Sequence, residues 1–235
     1  MNEDLRANIE RVRAAIKEAA IKAGRNPLEI RMLAATKNVG PERIMEAVRL
    51  GVRLIGENIV QEAGEKFAVL ERAERDFFVK YNVERHFIGH LQRNKVRKAL
   101  GLFDLIESVD SLRLAGKIDD EAERMNGKAR VFLEVNIGRE ETKYGFLPEE
   151  VGRAARDVSR MSNISVEGLM CIPPAGSTET ELREYFRKMR AIRNEISDIS
   201  RNLKLSMGMS SDFAVAIEEG ADIVRIGRAI FGERH

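Results

Sequence analysis

The sequence contains one cysteine and no tryptophan. A lone Cys171 excludes an internal disulfide and any zinc site built from cysteines. No Pro-, Gly- or Ser-rich stretch, repeat or low-complexity segment divides the chain, so residues 1–235 read as a single domain. No apolar run approaches the ~20 residues that a bilayer-spanning helix needs. The opening Met1-Asn2-Glu3-Asp4-Leu5-Arg6 has neither the apolar core of a signal peptide nor the Arg/Ser character of a transit peptide. These absences predict a cytoplasmic protein without a membrane partner. Charge of one sign is also missing: 40 basic residues face 38 acidic ones, a net of +2, which gives no reason to expect a nucleic-acid partner.

What is present is alternation. Leu5, Ile9, Val12, Ile16, Ala19 and Ala20 recur at helical spacing and predict an extra N-terminal helix that stops at Gly24. Short apolar runs then alternate with helical patterns. Strands are predicted over 30–36, 53–57, 84–89, 103–109, 129–136 (the longest), 164–171, 203–206 and 222–226. Helices are predicted after each: from Pro41 to Gly51, over 58–75, from Gln92 to Leu100, and from an Asp110-Ser111 cap to Met125. The next begins at Pro148, then come a long one over 178–202 and one capped by Ser210-Ser211-Asp212; Gly227 opens the closing segment. Eight strand–helix units imply a parallel sheet with right-handed crossovers, and in this length a closed (β/α)8 TIM barrel; a doubly wound open sheet is the alternative.

Barrel active sites lie at the carboxyl ends of the strands, and chemistry-bearing residues fall there. The first strand runs Met32-Leu33-Ala34-Ala35-Thr36-Lys37 and ends in an amine at the edge of an apolar core. Lys37 either snorkels to water or is kept as a desolvated amine for Schiff-base chemistry. Glu57 and Asn58 end the second strand, His86 lies near the end of the third, Asn136 ends the fifth, and Met170 and Cys171 end the sixth. Ser206-Met207-Gly208-Met209-Ser210 and Arg225-Ile226-Gly227-Arg228 end the last two, where barrels commonly bind phosphate. Gly208 and Gly227 would let backbone N–H groups approach an anion, with Ser206 and Ser210 donating hydroxyls. An amine facing an anion cradle suits a ligand with an aldehyde at one end and a phosphate at the other, which is pyridoxal 5′-phosphate (PLP).

These segments resemble the pyridoxal phosphate homeostasis family, whose barrel is the PLP fold-type III barrel of the alanine racemase N-terminal domain. The resemblance rests on Ala34-Ala35-Thr36-Lys37, Ile55-Gly56-Glu57-Asn58-Ile59-Val60-Gln61-Glu62 and His86-Phe87-Ile88-Gly89-His90-Leu91-Gln92-Arg93-Asn94-Lys95. It continues through Ser108-Val109-Asp110-Ser111, Val135-Asn136-Ile137, Gly168-Leu169-Met170, 205–210 and 224–232, spanning almost the whole chain. It implies that Lys37 is the Schiff-base lysine and that Arg225 faces the pyridine nitrogen. Ser206, Gly227 and neighbouring backbone would hold the phosphate, and Asn58 and His86 would border the ring. Two residues depart from the family pattern. Arg228 stands where a Ser or Thr is usual, and either replaces that hydroxyl with a guanidinium or turns to solvent. Arg85 stands where many relatives carry Trp.

The resemblance also implies a function. An arginine at the pyridine nitrogen leaves the ring a weak electron sink. Alanine racemase adds a tyrosine from a partner's second domain, and Tyr81, Tyr144 and Tyr185 are expected away from the strand ends. PLP binding without efficient turnover is therefore expected: a monomer that holds, buffers or delivers PLP to PLP-dependent apo-enzymes. A slow amino-acid racemase and a PLP-free interaction protein are the alternatives. The second would use Arg93, Lys95, Arg97 and Lys98, a cluster that reads as a solvated face. His86 and His90 stand ~13 Å apart on an extended strand, too far to share a metal. Asp119-Asp120-Glu121 reads as exposed helix surface.

Overall fold

The computed structural model describes residues 3–200 and 202–232. Helix α1 (Glu3–Lys22) comes first. Eight parallel strands follow: β1 (Arg31–Ala35), β2 (Leu54–Glu57), β3 (Glu84–Phe87), β4 (Leu105–Val109), β5 (Ala129–Val135), β6 (Ile164–Cys171), β7 (Lys204–Ser206) and β8 (Ile223–Ile226). They close in sequence order, β8 returning to β1, so the barrel replaces the open-sheet alternative. The crossovers are α2 (Pro41–Arg49), α3 (Val60–Ala73), α4 (Phe77–Lys80), α5 (Val96–Leu102), α6 (Leu112–Arg124), α7 (Val151–Ser159), α8 (Glu179–Glu195) and α9 (Phe213–Glu218), with α10 (Arg228–Phe231) after β8.

Two apolar layers form because strand side chains alternate between faces. The outer layer lies between barrel and helices and includes Ala34, Ile55, Phe87, Ile106, Val131, Leu133, Leu169, Leu205 and Val224. A smaller inner layer, Leu33, Leu54, Ile88, Leu105, Phe132, Met170 and Ile223, fills the barrel. The predicted apolar stripe of α1 is buried as the spacing requires, and α1 packs across α9 and α10, where Asn8 Nδ2 donates to the Ile230 carbonyl at 3.1 Å. No helix of the described residues is long and apolar enough to cross a membrane.

Several boundaries differ from the sequence reading. The longest strand is β6, with eight residues against seven in β5. Its extra residue is absorbed where the β5–β6 register shifts after Val131. The helix predicted over 178–202 stops at Glu195; Ser197, Asp198 and Ser200 follow, residue types whose side chains compete for the backbone, and residue 201 lies outside the described residues. Residues 1, 2 and 233–235 of the expected domain also lie outside them. Helix α4 was not anticipated. It is four residues long and follows Asp76 at φ 56°, and it delivers Phe77 and Phe78 to the core against Phe67, with Phe67 and Phe78 centroids 5.0 Å apart. Asp212 does occupy the N-cap of α9. Its carboxylate, however, reaches back to accept from Met209 N at 2.5 Å rather than capping the helix. Glu121 is buried, not exposed, and is held by Lys117 and Arg124 at 2.6 Å each.

Candidate active site at the carboxyl ends of the strands

A cavity of about 520 Å³ opens at the carboxyl end of the barrel. It is bounded by Lys37 after β1, Asn58 after β2, Ile172 after β6, Met209 to Ser211 after β7, and Arg225, Gly227 and Arg228 at and after β8. The volume falls within the range of small-molecule sites. Lys37 is half-buried here. Arg225 is buried at the cavity floor: its Nη1 donates to Ser206 Oγ at 2.8 Å and its Nη2 to the Cys171 carbonyl at 2.8 Å. Ser210 Oγ accepts from the Ala229 N–H at 3.4 Å, tying the two final loops together.

Two glycines set this geometry. Gly208 has φ +93°, and a Cβ there would lie 2.6 Å from Ala216 Cβ; it lets the loop after β7 turn tightly onto α9. Gly89 lies so close to Asn58 that a Cβ would meet the Asn58 carbonyl at 2.2 Å. The loop after β3 is thereby pressed against the residue that borders the cavity.

Lys37, Asn58, Arg225, Gly227 and Arg228 therefore share one cavity, whereas His86, Ser206 and Gly208 do not line it. Gly208 is spent on loop packing. His86 and Ser206 lie on inner-facing strand positions deeper in the barrel, both fully buried. Ser206 Oγ donates to Glu107 Oε2 at 2.5 Å, and His86 Nδ1 lies 2.6 Å from Glu107 Oε1. His86 instead borders a cavity of about 430 Å³ at the amino end of the barrel, with Arg31 and Arg130. Met209 and Ile172 are lining residues without a sequence signal of their own, and Ser211 reaches the cavity from the cap expected ahead of α9.

The environment shifts several groups. Burial alone would push the His86 imidazole down, but the flanking Glu107 and Glu84 carboxylates outweigh it and hold it above its ordinary value. Burial likewise acts to raise Glu107, yet His86 and Arg225 hold it below the usual carboxylate range. Glu134, on β5, is pushed up to about 7 by burial and by the charge of Asp110, with Arg225 opposing. Burial pushes the Cys171 thiol up to about 12.

One tyrosine is not where the sequence reading placed it. Tyr144 lies in the loop after β5, on the same end of the barrel as the cavity. Its ring stacks on His90, with centroids 3.6 Å apart, and His90 Nδ1 lies 3.2 Å from Asp110 Oδ2. Arg85 pairs with Asp104 at 2.7 Å and lies over the Phe78 ring, so it fills its position by an ion pair and ring packing. Among the described residues no group of three or more His, Cys, Asp or Glu could hold a metal ion.

The family model described as alanine racemase, N-terminal domain, matches residues 2–235. A curated relative from Aquifex aeolicus, named pyridoxal phosphate homeostasis protein, is 42% identical over 229 residues, covering 96% of each chain. The chain belongs to the pyridoxal phosphate homeostasis protein family. Among solved structures, an unknown protein from Bifidobacterium adolescentis superposes with a TM-score of 0.90 at 38% identity, covering 97% of this chain and 94% of that one. PipY of Synechococcus elongatus, solved with PLP bound, superposes with a TM-score of 0.78 at 32% identity, covering 93% of this chain and 100% of that one. The family's barrel is thus the architecture found here, closed by the same alanine racemase-like topology.

Proposed function

We propose that this chain binds PLP at the carboxyl end of its barrel and serves intracellular PLP homeostasis, holding the cofactor and releasing it to PLP-dependent apo-enzymes. The observation that carries this reading is that the Lys37 amine and the two final loops line one cavity. The residues fit the cofactor: Lys37 supplies a nucleophilic amine for an aldehyde, and Arg225 supplies a buried donor for a ring nitrogen. Ser210, the backbone around Gly227, and the Arg228 guanidinium would supply donors for a phosphate, and Asn58 lines the cavity where the ring would lie. The names of the curated relatives and the PLP bound to PipY support the same reading.

When bound, PLP supplies an electrophilic carbonyl and a conjugated ring. A guanidinium has only N–H donors, so Arg225 would offer the ring nitrogen a hydrogen bond where an acidic partner would keep it protonated. That keeps the ring a poor electron sink and favours reversible holding over turnover. Racemisation is the second reading, and Tyr144 on the rim is the observation that favours it.

The test is incubation of the purified protein with PLP, borohydride reduction and peptide mass spectrometry, alongside size-exclusion chromatography, which should show a monomer. A pyridoxyl group on Lys37, absent from Lys37→Ala, is the expected result, together with transfer of PLP to an apo-enzyme. No label on Lys37 overturns the binding site. Racemisation of alanine or serine at ~1 per second or faster, lost in Lys37→Ala, overturns the carrier half.

A further inference from the structure

The barrel interior holds a file of charges where barrels commonly carry only branched apolar side chains. It starts at the cavity with Arg225, which donates to Ser206 Oγ at 2.8 Å; Ser206 contacts Glu107 at 2.5 Å, and Glu107 contacts His86 at 2.6 Å. His86 Nε2 lies 3.2 Å from Glu84 Oε1, and Glu84 is held in turn by Arg31 at 2.6 Å and Arg130 at 2.8 Å. Arg130 ends the file on Glu167 at 2.8 Å. The signs alternate from the carboxyl end of the barrel to the amino end. Glu107 and His86, at its middle, have no exposed surface.

Proton positions along the upper half are forced. A guanidinium can only donate, so Ser206 Oγ accepts from Arg225. A hydroxyl has one proton, so Ser206 gives its own to Glu107. An ionised Glu107 accepts there and at its other oxygen, which requires a proton on His86 Nδ1. The hydroxyl of Ser206 thus points away from Arg225 because Glu107 draws it away. His86 keeps Glu107 ionised in a place where an isolated carboxylate would be neutral.

We propose that Glu107 and His86 are positioning residues that, through Ser206, fix the orientation in which Arg225 presents its remaining N–H groups to the cavity. This rests on the reading that the cavity takes PLP, and names the part of the chain that sets how the ring nitrogen is met. A buried ion pair is poor evidence of a contribution to stability, since apolar replacements of similar volume are often neutral. Orientation of Arg225 is the role the geometry leaves for it.

The experiment compares the whole chain with the Glu107→Leu/His86→Leu pair, with Ser206→Ala and with Ser206→Thr. Leu105→Ala serves as a control that loosens the inner layer beside His86 while removing none of the file's hydrogen-bonding groups. The first readout needs no cofactor: the side-chain N–H signals of Arg225 in nitrogen-15 NMR, assigned by their loss in Arg225→Lys. Resolved signals are expected in the parent, Leu105→Ala and Ser206→Thr. Averaged signals are expected in Ser206→Ala and the double variant. The second readout is PLP affinity, expected to fall about tenfold or more in those two, as for loss of one charge-assisted hydrogen bond.

Parent-like Arg225 signals and affinity in Ser206→Ala overturn the proposal, and that variant leaves the Glu107–His86 pair intact should the double variant not fold. Equal averaging in Leu105→Ala also overturns it, because the effect would then be loose packing. If the parent takes up no PLP, the functional reading fails separately, while the cofactor-free signals still decide the positioning role.

Discussion

Lys66 Nζ lies 2.9 Å from Glu57 Oε1, 2.6 Å from Glu62 Oε1 and 2.7 Å from the carbonyl of Thr36, the residue before Lys37. Thr36 Oγ1 also donates to Glu57 Oε1 at 2.7 Å, and Glu62 accepts from the Asn38 N–H at 2.7 Å. Both backbone neighbours of Lys37 are therefore held by one ion network built from β2 and α3. Replacing Lys66 by Met leaves Glu57 buried and uncompensated, which costs about 3–5 kcal/mol. The double change Lys66→Met/Glu57→Gln should recover most of that loss. Urea unfolding of the two variants measures it, and equal stability of the two would remove the network's claim.

The interior file gives the protein a stability dome in pH. Glu84 is held far below the usual carboxylate range, chiefly by His86, and Glu107 is also held low. Their contribution is present above the unfolded value of ~4.3 and is lost as pH falls through their folded values. His86 is shifted upward, so its contribution is complete below ~6.5 and is lost as pH rises through its folded value. Urea midpoints from acid to mildly alkaline pH should rise and then fall. The Glu107→Leu/His86→Leu pair should lose the alkaline limb, and a parent-like alkaline limb in that pair contradicts the assignment.

Glu134 has the opposite sign. With its carboxyl pushed up to about 7, the folded state holds the proton more tightly than the unfolded chain does. Stability should therefore decline with rising pH between the unfolded value of ~4.3 and the folded one. Glu134→Gln should match the parent near pH 4, exceed it at pH 8 and flatten the slope between. Identical slopes in the two proteins would show that the carboxyl titrates normally.

Gly208→Ala meets two costs, a left-handed backbone at φ +93° and a Cβ 2.6 Å from Ala216 Cβ. A loss of about 2 kcal/mol or more is expected. Because Met209 to Ser211 follow and line the cavity, PLP uptake should weaken as well. Thermal unfolding and cofactor titration check both effects, and an unchanged affinity would separate the turn from the site.

The barrel was legible because each run of apolar residues ends where a helix cap begins. Placing Lys37, Asn58, Arg225 and Gly227 at strand ends was enough to bring them to one rim. Depth was harder. Alternation tells which face a strand residue takes but not which layer of the barrel it reaches, so His86 and Ser206 were drawn too near the rim. A sharper signal was available in Leu105-Ile106-Glu107-Ser108-Val109: an acid inside an apolar strand needs an internal partner, and His86 is the one found. Tyr144 was misplaced because a loop's path over the barrel rim depends on contacts distant in sequence, here the ring of His90.

Cys171 gives its carbonyl to Arg225 while its side chain packs with the outer apolar layer. The sulfur keeps its proton, held there by burial. Thiolates attack carbonyl carbons and trap aldehydes as sulfur adducts. A molecule carrying a reactive aldehyde through a cell would be spoiled by such a neighbour, and this fold turns its one soft nucleophile outward, behind the strand. Among the described residues lining the cavity, Lys37 is then the one amine and no thiol joins it, the condition under which the proposed carrier would surrender its aldehyde unaltered.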